Sequence, residues 1–293
     1  MPTIITVQRD VGLNKEIGIN STETISALPI KNSSPKPQTT EPKYNQNVRL
    51  WIYAPIRVDL LLEVELLALT FATGIEDATT FSDFFCYTSN QTGNTVSLAL
   101  GAVGLFPGVN FYVSNCAFSL CLFIVGCWIM GQTGNIVGST RRLWVFISSL
   151  LQTVMVFAAA TLMNTVPVNL DQPFGPTIWS VLALLSFSGG GQVAMARGVR
   201  IPEISTANAS LAYVDFLVDP NLLAKHNRSR NRRVSFLFML SAGCFLGAYA
   251  REKYNTSITL MMAGIVKLLV TVAFAFNKSE DSSPAAISEM MPA

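Results

Sequence analysis

Five ionisable side chains stand inside long apolar runs: Glu63, Glu65, Glu76, Asp77 and Lys267. A charge at the bilayer centre costs about 2.5–3.5 kcal/mol on insertion scales, so each must pair, line a wet cavity or reach the interface. Lys267 sits mid-run, with Asp77, Glu76 and Asp215 as candidate counter-ions. A buried Lys–carboxylate pair is suited to ion coupling, because loss of water shifts the protonation of either partner. A structural ion pair or a snorkelling side chain is the alternative. At helical spacing Glu63, Leu67, Thr70, Gly74 and Asp77 share one face, and Glu65, Ala72 and Glu76 another. Glu63 and Glu65 read as interfacial anchors, and Asp77 as a polar group lining a central cavity.

Two short polar motifs offer binding chemistry: Asn90-Gln-Thr-Gly-Asn-Thr95 and Ser205-Thr-Ala-Asn-Ala209. Each follows an extended, polar stretch and opens a short segment. Pro202 and the β-favouring residues argue against helix in those lead-ins. A helix starting at membrane depth presents unsatisfied N–H groups and the positive end of its dipole, which attract anionic or polar ligands. The candidate substrate-binding residues are Asp77, Asn90, Thr92, Gly93, Asn94, Gln192, Thr206 and Asn208; Glu76 and Lys267 are the candidate ion-coupling pair. Thr and Asn here also suit helix N-caps, and the two roles are compatible. Gly189-Gly-Gly-Gln192 gives Gln192 a place like that of Glu76.

These groups need elements to position them. Six runs are long and apolar enough to cross a bilayer, at about 59–81, 111–131, 142–163, 176–196, 231–250 and 256–276. Two shorter ones lie near 92–105 and 204–218. Long, short, long, long thus occurs twice, and Thr206-Ala-Asn208 follows Thr92-Gly-Asn94 by 114 positions. Basic residues decide whether the short segments cross. If neither does, Arg141, Arg142, Arg197, Arg200 and the 225–233 cluster share the cytoplasmic side, as the positive-inside rule prefers. The expected fold is an all-α membrane protein. It has six transmembrane helices plus two short re-entrant half-helices in two inverted repeats, about 58–163 and 176–276, with both termini cytoplasmic. A disordered tail over 1–55 precedes the membrane domain (56–277), and a short polar tail (278–293) follows. No cleaved signal peptide is expected.

Composition agrees. Half of the 293 residues are hydrophobic and only 13% are charged, against roughly 25% in a soluble domain. A net charge of +2 gives no case for nucleic-acid binding. The five cysteines form no CxxC pair, and the one histidine, His226, has no metal-ligand partner, so neither metal nor cofactor is expected. No phosphate loop, nucleophile elbow or dinucleotide fingerprint is present, so no enzymatic activity is expected.

Gly74-Ile-Glu-Asp-Ala78 followed by Ser89-Asn-Gln-Thr-Gly-Asn-Thr-Val96 resembles the first signature of the YoaK-type membrane proteins, domain of unknown function 1275. Gly191-Gln-Val-Ala-Met-Ala-Arg197 with Pro202-Glu-Ile-Ser-Thr-Ala-Asn208 is similar to the second, with Val193 and Thr206-Ala-Asn208 as variants of it. Asp219-Pro220 and Asn231-Arg-Arg233, ahead of the fifth span, are similar to fungal members. The resemblance covers about 55–277 and implies a multi-span membrane protein without an established activity. The expected partners are the lipid bilayer and a small polar or anionic solute. The leading functional expectation is a secondary-transporter-like carrier holding that solute between the two half-helix starts. The alternative is a non-transporting membrane scaffold or lipid-interacting factor, in which Asn94 and Asn208 are only caps.

Overall fold

The computed structural model describes residues 53–104, 110–168, 170, 174–207, 209–278 and 280. They belong to one compact unit, Pro42–Ala293. The two expected polar tails fall almost wholly outside the described residues, and so does Asn208.

Among the described residues eight helices follow in order: α1 (Leu60–Phe84), α2 (Gln91–Ala102), α3 (Asn110–Val137), α4 (Arg142–Thr165), α5 (Pro176–Gly198), α6 (Ala209–Leu217), α7 (Arg228–Lys253) and α8 (Thr256–Phe274). They fall where the apolar runs lie. Asparagine does much of the capping: Asn90, Asn227 and Asn255 each accept a first-turn backbone N–H of α2, α7 and α8. Helices α3, α4, α5, α7 and α8 are long and apolar enough to cross a membrane. The chain is therefore an integral membrane protein. Helix α1 has 25 residues, and its five acidic side chains set its composition apart. All five are buried against the other helices. The 12-residue α2 and 9-residue α6 reach only about 18 and 14 Å, against ~30 Å of hydrocarbon.

Helix α1 packs on α7 and α8, and α5 packs on α3 and α4. Helices α4 and α8 pack on each other, while α2 covers α3 and α6 covers α7. The set of substantial pairings is unchanged when α1–α4 are exchanged in order with α5–α8. Glycines make the close helix crossings possible, Gly74 and Gly190 among them. A Cβ on Gly74 would stand 2.8 Å from the Cys244 backbone nitrogen, and one on Gly190 would stand 2.9 Å from that of Cys127. Only glycine lets these backbones approach so closely.

The interior is layered. One apolar cluster joins Leu62, Leu66 and Leu69 of α1 to Trp144, Met195 and Phe274. A second joins Ile75 and Phe84 of α1 to Val156, Leu182 and Leu260. Where the two clusters meet, a buried polar layer crosses the same helices: Thr73 and Glu76, Gln152, Ser188 and Gln192, and Lys267. A helix that buries polar groups without hydrogen bonds loses stability, and members of this layer meet one another: Gln152 donates to Ser148 at 3.0 Å and Gln192 to Thr73 at 2.7 Å.

Candidate functional site: a cavity between two short helix starts

The chain reverses at the end of α1. Phe85 takes the left-handed conformation (φ 54°) and closes the helix, and residues 85–90 turn back alongside it. Asp77 holds this return. Its Oδ1 accepts the Thr88 and Ser89 backbone N–H groups, each at 2.9 Å, and the Thr88 hydroxyl at 3.0 Å. Its Oδ2 accepts the Ser89 hydroxyl at 2.5 Å. Asn94 completes the tie: its Oδ1 accepts the Tyr87 N–H at 2.8 Å, and its Nδ2 donates to the Tyr87 carbonyl at 2.7 Å. The Ser119 hydroxyl donates to the same carbonyl at 2.6 Å. Extended backbone inside a membrane protein needs such partners, and here side chains of α1, α2 and α3 supply them. Helix α2 then runs outward along α3. Asn94 meets Ser119 at 3.3 Å, whereas Ser97 meets Tyr112 at 2.9 Å, nearer the start of α3. That start is at the α1 exit, where Asn115 donates to the Phe84 carbonyl at 3.1 Å.

The second half does the same with different chemistry. After α5, residues 199–207 are irregular, and Arg200 (φ 63°) and Thr206 (φ 61°) adopt left-handed backbone. For a β-branched residue that conformation is strained. The segment is tied by charge: Glu203 accepts the Ser229 hydroxyl at 2.8 Å and pairs with Arg232 at 3.3 Å. Arg233 binds Asp215 near the end of α6 and Asp219 just beyond it.

A cavity of about 750 Å³ lies between the two starts. Asp77, Asn90 and Thr92 line it from the first half, and Arg197, Ser205 and Ala207 from the second. Ser241 and Cys244 of α7 add to the wall. Of the candidate binding residues, Asp77, Asn90 and Thr92 meet there. Gly93 lies just behind, and a Cβ on it would press into the Tyr87 ring at 2.7 Å. Asn94 is fully buried and spent on the lead-in. Thr206 is buried beside the wall, its hydroxyl unpartnered. Gln192 points instead into the polar layer, donating to the Thr73 hydroxyl at 2.7 Å and the Leu69 carbonyl at 3.4 Å.

The coupling candidates meet. Lys267 Nζ lies 2.8 Å from Glu76 Oε1, and both side chains are enclosed. Lys267 also reaches the Ser188 hydroxyl at 3.5 Å. Its other candidate counter-ions lie elsewhere: Asp77 is bound to Thr88 and Ser89, and Asp215 to Arg233. The interfacial anchors are paired and buried instead of snorkelling. Glu63 accepts from Arg232 at 2.7 Å and from Arg228 Nε at 2.9 Å. Glu65 accepts the Asn277 amide at 2.6 Å. At the other end of α1, Asp83 binds Arg251 and the Thr256 hydroxyl, each at 2.6 Å. Outside the membrane helices, Asp219 is held below the usual carboxylate range, first by the Asn227 amide and then by the Asn221 backbone N–H and nearby arginines.

Arg197 is the site residue that sequence reasoning placed only as a cytoplasmic charge. A signal was present. Val193 follows Gly190 by the spacing at which Asp77 follows Gly74, and Arg197 lies four residues beyond Val193, on the same helical face. Ser89, Tyr87 and Ser241 carried no comparable signal, because their place in the wall depends on the chain reversal and on the α1–α7 crossing.

No curated protein and no solved structure matches the chain. A family model described as a protein of unknown function, DUF1275, matches residues 66–273, which takes in the first lead-in, both short helices and the whole polar layer. The chain belongs to the DUF1275 family.

Proposed function

We propose that this protein is a secondary-transporter-like carrier, not an enzyme, and that its cavity binds a small polar or anionic solute. The observation that carries the reading is the cavity itself, walled by the starts of two short helices, α2 at the α1 exit beside the start of α3 and α6 beside the start of α7. In this reading α1, α3, α4, α5, α7 and α8 span the membrane, and α2 and α6 are re-entrant. The exchange-invariant helix packing supports an inverted repeat. The arginines clustered at the start of α7 support a cytoplasmic position for that end, and with it for both termini. Glu76 and Lys267 form the coupling pair: displacing the proton or breaking the pair changes the charge of the layer directly behind Asp77.

A non-transporting scaffold or lipid-interacting factor is the second reading. Asn94 favours it, because its bonds go to the lead-in, to Gln91 in the first turn of α2 and to Ser119 of α3.

Uptake by proteoliposomes holding the full chain, screened over amino acids, small organic acids and inorganic anions, tests the first reading. A solute taken up by wild type, and lost in Thr92→Val at normal abundance, supports the carrier. Absence of uptake of every solute, with variants losing only abundance, supports the scaffold.

A further inference from the structure

The cavity wall carries one acid and one base among the described residues, Asp77 and Arg197. They differ in what remains of their charge. Asp77 accepts four hydrogen bonds from Thr88 and Ser89, so its oxygens are committed to the lead-in. Arg197 is exposed, and no acceptor among the described residues is bonded to its guanidinium. Neighbouring basic groups do not share its position. Arg232 is committed to Glu63 and Glu203, and Arg233 to Asp215 and Asp219.

The sign of the uncommitted charge decides the class of ligand. A cation would meet a bare guanidinium and no available carboxylate. An anion would meet the guanidinium together with the positive end of α2, which presents Asn90, Gln91 and Thr92 to the same space. Guanidinium also has the fork geometry that binds two oxygens of one group at once. A recess of about 210 Å³ adjoins this one through Arg197 and contains Arg200. Arg200, like Arg197, has no bonded acceptor among the described residues, whereas Glu203 and Asp215, which also line the recess, pair with Arg232 and Arg233.

We infer that the cavity takes an oxyanion group, carboxylate or phosphate, neutralised by Arg197. This rests on the reading of the cavity as a solute site and narrows it from polar solutes to anions. The same group arrives on a free solute or on a lipid headgroup.

The test uses the full-length protein in nanodiscs of phosphatidylcholine. Melting temperature is followed against acetate, succinate and inorganic phosphate at constant ionic strength, with chloride as reference. A parallel set of discs contains phosphatidic acid. The wild type gains stability with at least one oxyanion in a saturable manner. Arg197→Gln weakens the apparent affinity roughly tenfold or more, the expected loss of a charge-assisted contact, and Arg197→Lys recovers part of it. The Lys variant also guards against a folding defect in the Gln variant. A response to phosphatidic acid alone, lost in Arg197→Gln, supports the inference and assigns the group to a lipid. Equal responses in wild type and Arg197→Gln, or no response to any oxyanion, overturn it. If an uncharged solute is still transported in that case, the carrier reading stands while the inference falls.

Discussion

Glu76 and Lys267 meet at 2.8 Å in the middle of the bundle, enclosed by a layer of hydroxyls and amides at the junction of two apolar clusters. The matching crossing, α5 with α4, carries no such pair among the described residues. Gln192 follows Gly190 as Glu76 follows Gly74, yet it is neutral and bonds to Thr73 and Leu69. Charge is thus confined to one of two otherwise similar positions.

Removing one partner leaves a buried, unpaired charge, which costs about 3–5 kcal/mol. Glu76→Gln and Lys267→Met alone are therefore expected to lower the melting temperature and membrane abundance sharply. The double variant recovers most of both, because it removes the two charges together. If the pair serves coupling, the recovered double variant still loses ion-driven uptake of whatever solute the wild type carries. Normal driven uptake in the double variant assigns the pair to structure alone.

Asp77 holds the lead-in through four hydrogen bonds. Asp77→Ala strands two buried backbone N–H groups at about 1–3 kcal/mol each. Limited proteolysis between residues 84 and 91 should become fast in that variant and less so in Asp77→Asn, which keeps one accepting oxygen. Unchanged cleavage in Asp77→Ala contradicts the described tie.

Gly74 and Gly190 occupy matching crossings, against the backbone at Cys244 and at Cys127. Valine at either site forces two backbones apart, at about 1–3 kcal/mol or more. Gly74→Val and Gly190→Val should destabilise to a similar degree in a thermal melt. A large loss in one and none in the other contradicts the equivalence of the two helix pairs.

Asp219 has its carboxyl held down by Asn227, the Asn221 N–H and arginine. A depressed pKa contributes stability above the unfolded-state value, and that contribution is lost as pH falls through the folded value. Asp219→Asn should therefore melt below wild type at neutral pH, with the gap closing as the solution is acidified through the carboxylate range. A gap that widens on acidification contradicts the assignment.

The helices were legible because membrane spans are long and their hydrophobicity is redundant: no single residue carries the signal of α3 or α8. Two of their turning points were legible from Asn90 and Pro202, whose types suit a cap and a break. The site was legible in part. Asp77, Asn90 and Thr92 reach the cavity because the motif itself makes the turn. Asn94 is two residues beyond Thr92 and faces inward, a distinction of helical phase at a start that sequence places only to within a residue or two. The counter-ion of Lys267 was one of three in the sequence, since choosing Glu76 requires the α1–α8 crossing. Arg197 was masked by its kind: a basic residue at the end of a membrane helix has an ordinary explanation, and only the cavity beside it adds another.

The central claim is that the space between the two short helix starts is an aqueous solute site. A variant with Ser241→Cys as its one cysteine, in intact cells and in inside-out vesicles, tests this most directly with a membrane-impermeant thiol reagent. The account predicts labelling from the aqueous phase, slowed by the oxyanion that stabilises the protein and not by chloride. A folded, abundant variant that resists the reagent from both sides would mean a dry interface and contradict the account.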